Sequence, residues 1–135
     1  MTDYRLSTAS YRRFKPEMGL PVQASNGAPK YPLSYEIGFN AKPIYPRWQL
    51  VKADLTEIGF RDAYWRDLDR IGVVKLSTMF ANIAAVSDST DLVLLCFEEL
   101  TSGQFCHRRH FAQWWLENTG EEVPEHGPTN EPALF

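Results

Sequence analysis

Cysteine is scarce in this sequence, with two among 135 residues, and the two are not spaced as the Cys-x-x-Cys pair of a zinc site. In a chain that opens without an export signal, two cysteines are expected to be reduced thiols, because disulfides rarely persist in the cytoplasm. Long apolar runs are also missing, since the longest, residues 92–97, is far too short to cross a bilayer. We therefore expect a cytoplasmic protein without a membrane partner.

The sequence has no excess of basic residues. It has 14 Lys and Arg residues and 17 Asp and Glu residues. This balance excludes the strongly basic surface that non-specific nucleic-acid binding requires. Four of the acidic residues follow Gly120, where no Lys or Arg occurs, at positions 121, 122, 125 and 131. The preceding part is nearly neutral, so nucleic acid stays open as a partner only through a local cluster of basic residues.

Glycine-rich phosphate-binding motifs are absent too, since neither Gly-x-Gly-x-x-Gly nor a Walker-type loop occurs. This counts against an ordinary dinucleotide or triphosphate site. What is present is the composition of a soluble globular protein, with 44% hydrophobic and 23% charged residues. The length predicts one α/β domain over residues 1–120, followed by an acidic, proline-containing extension over 121–135. A short edge strand is predicted within that extension at 122–125.

Three segments read as strands. Residues 5–9 and 20–25 are short, and 20–25 alternates apolar and polar side chains. Residues 92–97 form an uninterrupted apolar run, which is typical of a central strand covered on both faces. We therefore place 92–97 at the centre of a short, mainly parallel sheet.

Helical spacing marks three further segments, at 60–71, 76–86 and about 106–118, with Gly72 ending or kinking the first. Helices that alternate with a buried strand predict a single three-layer α/β domain. Between residues 25 and 57 the chain is rich in Gly and Pro and reads as a long irregular connection. Its aromatic side chains are expected to pack on the body of the domain; they are Tyr31, Tyr35, Phe39, Tyr45 and Trp48.

The segment after the central strand carries the candidate chemistry. A helix beginning near Cys106 presents the positive end of its dipole, which favours an anion and a thiolate. Cys106 is then either a nucleophile, an anion cradle or a small packed residue, and His107 is the candidate acid or base. Arg108 and Arg109 could clamp a phosphate or carboxylate by bidentate hydrogen bonds. Glu98 and Glu99 are either solvent-facing acids, or one of them orients His107 or Arg108.

A metal site is the weaker interpretation of the same segment. Cys96, Cys106, His107 and His110 are all metal-ligand types, but neither a His-Glu-x-x-His nor a paired-cysteine spacing occurs. Cys96 is interpreted as a core residue because it lies within the apolar strand. We therefore assign no metal and no cofactor from the sequence.

Several motifs resemble the domain of unknown function 488 family of bacteria and their phages. They are Ser-Thr-Ala-Ser-Tyr at 7–11, Phe-Arg-Asp-Ala-Tyr at 60–64, Leu-Leu-Cys-Phe-Glu-Glu at 94–99 and Cys-His-Arg-Arg at 106–109. The resemblance covers most of residues 4–125 and implies a Rossmann-like fold with the Cys-His-Arg segment in the site. Ser10 and Tyr11, and Asn26 of the Asn-Gly turn, complete the predicted ligand-binding residues.

Two functions follow as expectations. The preferred one is an enzyme-like pocket for a small anionic ligand, such as a nucleotide, another phosphorylated compound or a nucleic-acid end. The alternative is a non-catalytic module that docks a protein or nucleic acid through the basic helix start and the aromatic connection. The sequence leaves the reaction and the oligomeric state undetermined.

Overall fold

A computed structural model describes residues 3–97 and 107–127. The strands in these ranges are β1 (Arg5–Ser10), β2 (Leu20–Gln23), β3 (Phe39–Asn40) and β4 (Asp91–Cys96). The α-helices are α1 (Trp48–Lys52), α2 (Glu57–Ile71), α3 (Val73–Ser87) and α4 (His107–Thr119). Short 3₁₀ turns occur at Pro16–Met18 and Lys42–Ile44. The chain is therefore an α/β protein, as the sequence predicts.

The four strands form one parallel sheet in the order β1-β4-β2-β3. β4 lies between β1 and β2, with Leu92 opposite Leu6 on one side and Leu94 opposite Val22 on the other. The sheet is covered on both faces, which explains why the β4 sequence is apolar at every position after Asp91. The prediction of a central strand is confirmed.

All four α-helices pack on one face of the sheet. Their buried apolar residues form one core together with Leu92 and Leu94 of β4. In α2 the buried residues are Phe60, Tyr64 and Leu68, at the spacing that the sequence pattern predicts. Gly72 separates α2 from α3, and its φ of 87° lies in the region that favours glycine.

The other face is covered by irregular chain instead of helices. Val93 and Leu95 of β4 contact Tyr11 and Phe14, against which a set of loop side chains packs. That set comprises Tyr31, Leu33, Tyr35 and Ile37. The three layers are thus present, but prolines 29 and 32 prevent helix formation in the third. Its aromatic side chains supply apolar area in place of a helix, as expected for Tyr31 and Tyr35.

Residues 121–127 return along β1. The predicted edge strand is represented by a single parallel bridge between Thr8 and Glu125. The Thr8 amide donates to the Pro124 carbonyl at 2.8 Å, and the His126 amide donates to the Thr8 carbonyl at 2.7 Å. The first part of the acidic extension is therefore attached to the domain's sheet. We call residues 123–126 the C-terminal strap.

Within residues 3–97 and 107–127, no helix combines the length and the apolar character that a membrane span requires.

Amide hydrogen exchange should be slowest in β4. The amides of Leu92, Leu94 and Leu95 lie in the central strand and under fully buried side chains, so they exchange only when the sheet opens. Amides of α1, whose Val51 side chain is exposed, provide the internal comparison and should exchange much faster. Exchange of the β4 amides as fast as that of α1 would contradict the central placement of β4.

Candidate functional site

The carboxyl-terminal ends of three strands are joined at one edge of the sheet, which we call the carboxyl edge. The Tyr11 amide donates to the Cys96 carbonyl at 2.9 Å, and the Ala24 amide donates to the Leu95 carbonyl at 3.0 Å. The chain leaves β1 toward the irregular layer, whereas α4, the next described element after β4, lies in the helical layer. In open α/β sheets, ligands bind at such a divergence.

His107, the first residue of α4, is buried at this edge. Its Nε2 hydrogen-bonds to the Ala24 carbonyl, and its Nδ1 lies 3.6 Å from the Cys96 sulfur. A backbone carbonyl only accepts hydrogen bonds, so Nε2 must carry a proton. In the neutral ring, Nδ1 then presents its lone pair to the thiol. The Tyr64 ring meets the imidazole edge-on, with the ring centroids 5.9 Å apart, and helps to fix its orientation.

Tyr11 joins the turns that follow β1 and β2. The Ser25 hydroxyl donates to the Gly27 carbonyl at 2.7 Å, so the Tyr11 hydroxyl must donate to the Ser25 oxygen, also at 2.7 Å. Burial raises the pKa of Tyr11, which keeps the phenol protonated and able to donate. The Tyr35 hydroxyl in turn donates to the Tyr11 carbonyl at 2.6 Å. This chain of hydrogen bonds fixes one wall of the edge.

Ser10 and Asn26 also lie at the carboxyl edge. The Ser10 hydroxyl accepts a hydrogen bond from the Arg13 amide at 3.2 Å. The Asn26 side-chain amide donates to the Pro46 carbonyl at 2.6 Å and so attaches the turn after β2 to the long connection. The structure therefore brings Ser10, Tyr11, Asn26 and His107 to the same edge, where they shape the backbone.

Arg108 points away from this edge, toward the C-terminal strap. Its guanidinium is 1% exposed and forms two hydrogen bonds of 3.0 Å with the Glu125 carboxylate, which is itself buried. Thr8 donates a further hydrogen bond of 2.6 Å to the same carboxylate. The sequence predicts a ligand or Glu98 as the partner of Arg108. The structure supplies Glu125 because the chain after α4 returns along β1.

Arg109 contacts the strap as well. One of its terminal nitrogens donates to the Thr8 hydroxyl at 3.0 Å and to the Val123 carbonyl at 2.7 Å. Both predicted clamp arginines are thus engaged beside β1. We call Thr8, Arg108, Arg109 and Glu125 the arginine cluster.

The remaining predicted residues have different outcomes. Glu98 and Cys106 lie outside the described residues, so their roles stay predictions. His110, considered above as a metal ligand, lies with its Nε2 3.4 Å from a Glu57 carboxylate oxygen on α2. His107 turns instead to Ala24, so the two histidines have different partners. Among the described residues, no three His, Cys, Asp or Glu side chains are grouped as metal ligands.

Two features of the structure have little or no signal in the sequence. The first is the contact of Cys96 with His107, for which the only signal is that a strand ends and a helix begins with these two residue types. The second is a cavity of about 540 Å³ at the opposite end of the sheet, where β1 and β4 begin. Its walls include Tyr4, Arg5, Asp91, Trp115 and Glu122. No local sequence pattern predicts this cavity, because the residues that line it come from distant parts of the chain.

Comparisons with protein-family models, with curated proteins and with solved structures find no match for this chain. The resemblance to the domain of unknown function 488 family therefore stays a prediction that depends on the motifs described above. The functional interpretation depends on the geometry of the carboxyl edge.

Proposed function

We propose that the carboxyl edge binds a small anionic ligand, such as a nucleotide or another phosphorylated compound, and that His107 acts on this ligand as an acid or base. The observation that carries the proposal is the placement of His107. It lies where the ends of β4 and β2 meet, and the Ala24 carbonyl fixes its ring so that Nδ1 is the basic nitrogen. A histidine held in one tautomer is prepared for proton transfer.

The preference for an anion comes from α4. The helix begins at His107, so the positive end of its dipole faces the carboxyl edge. Arg108 does not supply this charge, because Glu125 already neutralises it. In the proposal, the two arginines hold α4 against β1 and thereby position His107. Cys106, the residue before His107, is retained as the proposed anion cradle or nucleophile.

One observation favours the alternative of a docking module. Several apolar side chains on α1 and the start of α2 are exposed, among them Trp48 at 54% and Ile58 at 63%. This surface adjoins the long connection and would supply contact area. The alternative also uses the start of α4 for docking, but this part of the surface is unsuited to that role because Arg108 is buried.

A thermal-shift screen tests the preferred function. Nucleotides, phosphosugars, inorganic phosphate and divalent metals are added singly, and the melting temperature is recorded. A ligand at a hundredfold excess over its dissociation constant stabilises the folded state by about 2.7 kcal/mol, which raises Tm by several degrees. We expect at least one phosphorylated compound to do so, and we expect His107→Gln to reduce the shift.

The matched control is His126→Gln, because His126 lies in the strap and contacts Ser7. This variant should keep the full ligand-induced shift. No shift with any phosphorylated compound would remove the support for an anion site and leave the docking module as the better proposal. A shift that His107→Gln leaves intact would place the ligand elsewhere, and the cavity near Trp115 would be the next position to examine.

A further inference from the structure

Cys96 combines burial with a polar contact. It is the last residue of β4, and it is 2% exposed. Its sulfur lies 3.6 Å from His107 Nδ1, a distance at which a thiol donates a hydrogen bond to nitrogen. The preceding apolar side chains of β4 pack into one of the two cores, whereas Cys96 meets a ring that can accept its proton.

We propose that Cys96 is a nucleophile of the carboxyl edge, with His107 as its base. The inference rests on the proposed function and deepens it by naming a reactive thiol, although the apolar sequence of β4 predicts that Cys96 is a core residue. Cys96, His107 and the Ala24 carbonyl have the arrangement that an activated nucleophile requires. The Cys96 thiol contacts His107 Nδ1, and the Ala24 carbonyl orients the imidazole through Nε2. Transfer of the thiol proton to Nδ1 produces an imidazolium with two N–H groups. One faces the thiolate and the other faces the carbonyl, so both are satisfied.

The reaction class is nucleophilic displacement on a small anionic substrate. The Cys96 sulfur forms a bond to the electrophilic atom of the substrate while the bond from that atom to the leaving group breaks. The leaving group departs with the electron pair and takes the proton from His107 Nδ1. The substrate must be small because the thiol and the imidazole are both nearly enclosed.

A purely structural thiol makes a different prediction. A core cysteine reacts only when the protein opens, so its labelling rate follows the unfolding equilibrium and rises steeply with urea. A thiol activated in the folded state reacts without opening, and low urea concentrations leave its rate unchanged. This difference needs no variant, so it remains measurable if a substitution at position 107 prevents folding.

Labelling with iodoacetamide tests the proposal, because the sulfur–carbon bond forms as iodide leaves. Digestion at glutamates 98 and 99 separates the two cysteines, so mass spectrometry quantifies Cys96 alone. We expect Cys96 to be labelled in folded protein at a rate independent of low urea. His107→Gln should lower that rate by about a hundredfold, the lower range for loss of a general base. His126→Gln should leave it unchanged.

Two results would overturn the proposal. One is a rate that rises with urea in step with unfolding, and the other is equal labelling of folded wild type and folded His107→Gln. Neither affects the ligand proposal, because Tm shifts with phosphorylated compounds are measured independently and need no thiol. Ligand binding without Cys96 reactivity would refute this inference alone, whereas Cys96 reactivity without any ligand shift would refute the anion site alone.

Discussion

Arg108→Met should lower the free energy of unfolding by about 3–5 kcal/mol, the range for removing one partner of a buried ion pair. The substitution leaves the Glu125 carboxylate buried beside Thr8 with no cation in its bidentate position. Methionine fills much of the space, so the loss arises from the unpaired charge more than from a cavity. Urea denaturation monitored by tryptophan fluorescence measures the effect.

Arg5→Met is the matched control, because Arg5 pairs with Asp91 at a similar distance of 3.0 Å but its side chain is 79% exposed. Exposed pairs contribute at most about 1 kcal/mol. Glu125→Gln should destabilise nearly as much as Arg108→Met, since it leaves the guanidinium unneutralised. If Arg108→Met and Arg5→Met cost the same, the burial of the arginine cluster would be refuted.

Phe80→Ala should lower the free energy of unfolding by about 3–5 kcal/mol, as expected for truncating a fully buried aromatic residue. Phe80 lies on α3, and its ring centroid is 5.8 Å from that of Tyr4, 6.1 Å from that of Phe111 and 5.6 Å from that of Trp115. It therefore connects α3, α4 and the segment before β1. The same denaturation experiment measures the loss.

Val86→Ala, on the same helix, serves as the comparison. Val86 is 77% exposed, so this substitution should change stability by no more than about 0.5 kcal/mol. Equal effects of the two substitutions would show that α3 is not packed as described.

The elements that the sequence predicts well are those with a strong local pattern. The apolar run of β4 and the spacing of Phe60, Tyr64 and Leu68 in α2 each reflect contact with a core along a whole element. Gly72 likewise marks the boundary between α2 and α3, because its φ of 87° is incompatible with a continuous α-helix. Such patterns can be recognised without knowing which element packs against them, because burial alone determines the residue types.

The irregular layer and the arginine cluster could not be predicted in the same way. The ion pair of Arg108 with Glu125 depends on the strap returning along β1, and Thr8 is 117 residues from Glu125 in sequence. From the sequence alone, charged residues in an acidic, proline-containing stretch are expected to be exposed to solvent. The contact between Cys96 and His107 is similar, since it depends on how α4 is placed against the sheet.

The strap has a further consequence for β1, which is the outer strand on one side of the sheet. An outer strand of a sheet exposes unpaired amides and carbonyls, which can template pairing with another chain. At Thr8 both backbone groups of β1 are already occupied, the amide by Pro124 and the carbonyl by His126. The charged residues nearby, Arg109 among them, discourage an incoming apolar strand. The arginine cluster therefore fixes the strap in the position where it occupies the backbone groups of Thr8 on the outer strand.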